Sequence, residues 1–195
     1  VDLFLKGYPD QAMQVLHEAL TSVQELENAN SLAATSIWLA FIHSHRRALD
    51  EARGYIEAVV ALATEQGMPF WLAWGTIMQG WVLSAQGDGE GGIAALRQGL
   101  TMYQVAEETQ FSTCWHALLA EAYGKNGQVD ESLSTVGEAL DFVEKTNERF
   151  YQAELYRLQG EMTLQPSKRE EAEACFRQAI EIAQKQEAKS WELRA

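Results

Sequence analysis

Proline is scarce in this chain, with three in 195 residues, and β-branched residues are scattered rather than gathered into alternating runs. Long helices are thereby permitted and strands disfavoured, so the sequence predicts an all-α fold. Cysteine is scarcer still. Cys114 and Cys175 are too few and too far apart for a disulfide framework or for paired metal ligands, and they read as two free thiols in a reducing, cytoplasmic setting. Positive charge is also short: 15 basic against 28 acidic residues leave a net charge of −13. That balance repels a phosphate backbone, which argues against nucleic acid as a direct partner. No window reaches the roughly 18 uninterrupted apolar residues of a membrane span. The opening VDLFLKGYPDQ lacks the basic-then-apolar order of a secretory signal. It also lacks a starting methionine, and the closing SWELRA lies inside a helical pattern, so the sequence reads as a piece of a longer chain.

What is present is a repeat. Shifted against itself by 40 residues, the sequence aligns without a gap. One helix class opens on Asp10, Asp50, Glu90, Asp130 and Glu170, always acidic, where a carboxylate meets the positive end of the helix dipole. A large apolar column, Leu16, Ile56, Leu96, Val136 and Phe176, runs beside a small one, Ala12, Ala52, Gly92, Ser132 and Ala172. Large against small at fixed spacing lets one helix nest on the next. The other class starts at Trp71, Phe111, Tyr151 and Trp191 and continues its apolar stripe through Trp38, Met78, Leu118 and Leu158. Two helices per fixed period is the pattern of an α-solenoid. The predicted pairs span 31–66, 71–107, 111–147 and 151–187, with partial repeats at both ends, in one domain covering 1–195.

The side chains that carry chemistry do not assemble into a reactive set. His43 and His45 stand two apart, on different faces of a helix, as do Cys114 and His116, and His17 falls in a solvated column. The run Gly87–Gly92 is glycine-rich but holds no basic residue and sits at a repeat turn, so it reads as a turn rather than a phosphate cradle. The pairs Glu107–Glu108 and Glu170–Glu171 lie at helix ends and read as caps or solvated faces, not as a catalytic dyad. No enzyme activity, metal or cofactor is expected.

The order of small and large residues in LLAEAYGKNGQVDESLSTVGEAL and AEACFRQAIEIA resembles the tetratricopeptide repeat. Gly127, Ser132, Val136, Ala139 and Leu140 stand at that motif's positions, and Gly87, Gly92, Leu96, Gly99 and Leu100 repeat it. The departure is the period, 40 here against about 34. Longer repeats of this kind resemble the sensor arms of bacterial maltose-type transcriptional regulators. The segments GWVLSAQGDGEGGIAALRQGL, QAELYRLQGEM and EAEACFRQAIEIAQKQEAKSWELRA resemble the C-terminal repeat arm of bacterial proteins that join a class III nucleotide cyclase to a regulatory ATPase. The resemblance implies a right-handed solenoid acting as a regulatory or scaffolding arm that binds a protein or peptide. It also implies that the first helix of each pair lines a concave groove.

Three columns of those first helices vary most between repeats: Ala34, Trp74, Cys114, Glu154; Ile37, Ile77, Ala117, Arg157; and Phe41, Trp81, Glu121, Glu161. Steps of three and four put them on one face, which His45 and Lys125 extend. The expected groove is therefore aromatic early, with Phe41, His45, Trp74, Ile77 and Trp81, and charged late, with Glu121, Lys125, Arg157 and Glu161. Exposed tryptophans would suit the apolar anchors of a peptide or the flat face of a sugar, while an aromatic stripe at helical spacing equally suits a core. A small-molecule sensor arm is thus the alternative to a protein-binding one. Leu3, Phe4 and Leu5 near one end and Trp191 and Leu193 near the other suggest end-to-end self-association, because solenoids need polar caps.

Overall fold

The computed structural model describes residues 1–105 and 110–195. Among them there is no strand, and the helices alternate in two classes. The second class comprises α2 (Pro9–Glu25), α4 (Leu49–Glu65), α6 (Gly89–Val105), α8 (Val129–Thr146) and α10 (Arg169–Lys185). The first comprises α3 (Ala29–His45), α5 (Pro69–Ala85), α7 (Ser112–Lys125) and α9 (Gln152–Thr163). Short turns of the first class, α1 (Asp2–Leu5) and α11 (Lys189–Glu192), stand at the two ends, and a 3-10 turn covers Pro166–Lys168. Every second-class helix starts 40 residues after the one before, at 9, 49, 89, 129 and 169. The fold is an all-α, paired-helix array of the solenoid kind. Glu107, which closes the second predicted pair, and Glu108 lie outside the described residues.

The turns explain why the period is so strict. At the end of each of α3, α4, α5 and α7 one residue adopts a left-handed conformation: Arg47, Gly67, Gly87 and Gly127, with φ of 62°, 63°, 101° and 77°. The next residue's N–H then reaches back to a carbonyl five residues earlier, as from Ala48 to His43 (3.0 Å), Met68 to Ala63 (2.8 Å), Asp88 to Leu83 (3.0 Å) and Gln128 to Tyr123 (2.9 Å). That bond closes the helix and aims the chain straight into the next one. Where the left-handed residue is glycine the conformation is free of side-chain clash, whereas Arg47 holds it at a cost.

The chain divides into two compact units: Val1–Phe4 with Tyr8–Thr109, and Leu5–Gly7 with Gln110–Ala195. In the first, α5 and α6 press together through glycines. A Cβ on Gly80 would stand 2.6 Å from the backbone nitrogen of Leu96, and one on Gly92 would stand 2.7 Å from the Gly80 carbonyl. The small column therefore exists because backbone meets backbone there. By contrast α2 buries only Ala12 and leaves Val15 largely exposed, whereas its counterpart α4 buries Ala52, Ile56, Val59 and Ala63. In the second unit the same column supplies Ser132, whose hydroxyl donates to the Ala120 carbonyl at 2.8 Å and ties α8 to α7. The start of α7 has no capping side chain of its own, since Phe111 takes the cap position in a left-handed conformation. Glu148 supplies the acceptors instead, taking the backbone N–H groups of Ser112 (3.3 Å) and Thr113 (2.9 Å) and the Thr113 hydroxyl.

The apolar ends are more covered than the sequence suggests. Phe4 is buried against the rings of Phe41 (6.0 Å) and His45 (5.4 Å), and Trp191 is buried edge-on to Tyr151 at 5.1 Å. Leu193 is the one large apolar residue of that set left open, at 75 % exposure. No described helix is long and apolar enough to cross a membrane.

Candidate functional site

The aromatic positions share a face, as helical spacing requires, but they are not open. Phe41, Trp74, Ile77 and Trp81 are 2, 3, 0 and 5 % exposed. Trp81 lies 6.5 Å from Phe41 and 4.8 Å from the half-buried His45, and His45 in turn lies 4.2 Å from Phe41. Trp74 takes Trp38 edge-on at 5.9 Å and leans on Phe70 at 5.2 Å. The expectation of an aromatic groove is corrected at this point: neighbouring rings from successive first helices satisfy one another, because each gains more from burial than from water. His45 fixes its own ring by hydrogen-bonding the Phe41 carbonyl at 2.9 Å.

The charged positions behave differently. On α9 the Arg157 guanidinium is 6 % exposed and its Nε donates to both carboxylate oxygens of Glu154 at 3.1 Å. Its Nη1 meets Glu161 at 2.6 Å. Arg194 closes on the same Glu154 from beyond α11 at 3.0 Å, stretched 6.0 Å over the Trp191 ring. On α7, Lys125 binds Glu121 at 2.8 Å. Burial falls along this set: Glu154 and Arg157 are enclosed, Glu121 is 16 % exposed at its side chain, and Glu161 and Lys125 stand open at 45 and 48 %. All four charged positions expected from the sequence thus meet on the first-helix face of the second unit, graded from a closed base to an open rim.

Electrostatics follow that gradient. Burial pushes the Glu154 carboxyl above its ordinary range, against the pull of Arg157 and Arg194. Burial would raise Glu121 too, but Lys125, with Arg194 and Arg157 behind it, brings it below. Burial also acts to lower the Arg157 guanidinium, and Glu154, Glu161 and Glu121 together outweigh it and raise it, so its charge is permanent. Nearby, burial raises the Cys114 thiol and the Tyr151 phenol well above their usual values, and Glu154 pushes both the same way. Neither is an activated nucleophile. The arrangement can recognise charge; it holds no poised acid, base or nucleophile pair.

Two members of the cluster were missed as site residues by sequence reasoning. Glu154 stands in the variable column with Ala34, Trp74 and Cys114, where the sequence alone does not show that its carboxylate is buried against a guanidinium. Arg194 is the fifth member of that same column, 40 residues beyond Glu154. Extending the column by one repeat would have found it.

Residues 112–185 match the family model of the tetratricopeptide repeat. Among curated proteins, no sequence matches the chain. Solved structures share its architecture. RapI in its apo form superposes with a TM-score of 0.67 at 13 % identity, over 93 % of this chain and 62 % of RapI. The chain therefore spans less than two thirds of that protein. A putative kinesin light chain of Podosopora anserina with nearly identical TPR-like repeats gives 0.56 at 20 % identity, over 92 % of this chain and 89 % of that one. MamA gives 0.51 at 17 % identity, over 95 and 94 %. At these identities the likeness is one of fold; together with the family match over residues 112–185 it supports a tetratricopeptide-like repeat region.

Proposed function

We propose that this chain is a non-catalytic interaction module, a scaffold or regulatory arm that binds a protein or peptide segment on the first-helix face of its second unit. Repeats of this kind commonly mediate protein–protein contact, and the first helices of such arrays line the concave side. The observation that carries the reading is the open pair Lys125 and Glu161, standing with the largely buried Glu121 around the enclosed Arg157. Charges of both signs on a preformed base orient a polar segment and reject mismatched ones. Burial of Trp74 and Trp81 weighs against a sugar stacked on either ring and hence against the sensor alternative in that form. The resemblance of the sequence to the repeat arms of cyclase–ATPase proteins and maltose-type regulators supports a bacterial, cytoplasmic signalling context. The 40-residue register running through both units supports reading the chain as one repeat domain. End-to-end association is a secondary contact in this proposal, resting on Leu193 now that Phe4 and Trp191 are buried.

The test is selection of peptides from a random display library on the full chain, followed by re-measurement on Lys125→Glu and Glu161→Lys. Selected peptides should converge on a charge pattern and lose about tenfold in affinity on at least one reversal, equivalent to about 1.4 kcal/mol. Peptides that bind both variants as well as the parent chain would overturn the assignment.

A further inference from the structure

A cleft of about 220 Å3 opens in the first unit where α2 crosses α3 and α4. Its walls are mainly aliphatic, with Leu20 from α2, Leu32 from α3 and Val59 and Leu62 from α4, and no charged side chain lines it. Three polar side chains face it: Gln24, Ser36 and Tyr55. The Tyr55 hydroxyl is already engaged by the His17 ring at 3.1 Å, so Tyr55 offers the cleft its ring. Ser36 is only 5 % exposed, and its hydroxyl makes no hydrogen bond to any described residue. The Ser36 oxygen is not sealed from solvent, so it stays reachable from the cleft that Ser36 lines and is available to hydrogen-bond an occupant.

We propose that this cleft is a binding site for a small, uncharged, mostly apolar molecule carrying one hydroxyl-like group, and that Ser36 is its hydrogen-bonding residue. Size sets the first limit. An apolar cavity of about 150 Å3 takes benzene, so the volume here admits a ring with one or two substituents. Charge sets the second, because a carboxylate or ammonium in the cleft would lose its hydration and meet no counter-charge. Access is given by α2, which buries only Ala12 and so can yield to an entering ligand at small cost. The second-class helices α4 and α6 are anchored by four and six buried residues and cannot do this. The inference is independent of the charged face proposed above for protein recognition, since every residue it uses lies in the first unit.

The experiment titrates the full 15N-labelled chain with p-cresol, toluene and benzoate and follows amide shifts. The expected result is saturable movement centred on Leu20, Leu32, Ser36 and Val59, with p-cresol binding more tightly than toluene and benzoate not binding. Ser36→Ala should weaken p-cresol by about three- to tenfold, to the level of toluene, the worth of one hydrogen bond. Ala58→Leu, a change at an exposed position on the cleft wall, should abolish both without unfolding the chain. Three results would overturn the proposal: no saturable shifts in the cleft, shifts that appear on raising protein concentration alone because a second copy covers it, or p-cresol affinity unchanged in Ser36→Ala.

Discussion

His43 shows what a single side chain costs when burial and chemistry disagree. Both of its ring nitrogens are shut from solvent without a hydrogen-bond partner. The ring stacks on Tyr55 of α4 at 5.6 Å and meets the edge of His17 of α2 at 6.5 Å. Burial lowers its pKa, His17 and Arg46 add to the effect, and Glu51 opposes it. With the folded pKa below the unfolded one, the unfolded chain takes up a proton first as pH falls through the usual histidine range. Stability from this group is therefore present at pH 7.5 and lost on acidification, and urea midpoints measured from pH 7.5 to 5.5 should decline. His43→Phe should flatten that decline; an identical slope in the variant would remove His43 as its cause. The left-handed turn residues make a second test at this scale. Gly87 has φ 101° and nothing within 4 Å of a Cβ, so Gly87→Ala should lose about 1–2 kcal/mol by backbone strain alone. Arg47→Gly should gain up to about 1 kcal/mol at the equivalent turn, because it relieves the strain that Arg47 carries at φ 62°.

At the scale of the helix, α9 differs from its counterparts by carrying an ion pair where α3 and α5 carry apolar side chains. Glu154 and Arg157 occupy the columns that hold Trp74 and Ile77 in α5. Replacing Arg157 by leucine leaves Glu154 enclosed with Arg194 as its remaining guanidinium, so denaturant titration should show a loss of about 3 kcal/mol. Replacing both residues by methionine should recover most of that loss, because the uncompensated charge leaves with its partner. Helix boundaries were legible in the sequence for a definite reason. Acidic first turns, small columns and left-handed turn positions recur at one spacing, so each repeat votes on the others. What could not be read was exposure. Helical spacing put Trp74, Trp81 and Phe41 on one face, but whether that face meets water depends on which rings lie opposite, and periodicity within one helix carries no such information. Of the charged positions, Glu161 and Lys125 stand open because charge resists burial, whereas Arg157 is enclosed between two carboxylates, a pairing that one column of sequence does not show.

For the molecule as a whole, the proposed protein-binding role rests on the repeat architecture, and the proposed chemistry of the partner on the charge left open upon it. A net charge of −13 disfavours acidic partners at long range, while the mixed rim of Glu121, Lys125 and Glu161 sets register at short range. Salt should therefore slow association with a basic segment more than it speeds dissociation. Self-association through Leu193 should appear in light scattering as a concentration-dependent rise in mass that Leu193→Glu removes; a constant monomer mass would exclude it. The most direct measurement of the central claim is hydrogen–deuterium exchange on the full chain with and without a library-selected peptide. Slowed exchange is expected on α7 and α9 around Glu121, Lys125 and Glu161, with α8 and α10 unchanged. Protection confined to α8 and α10, or spread evenly over the chain, would contradict it.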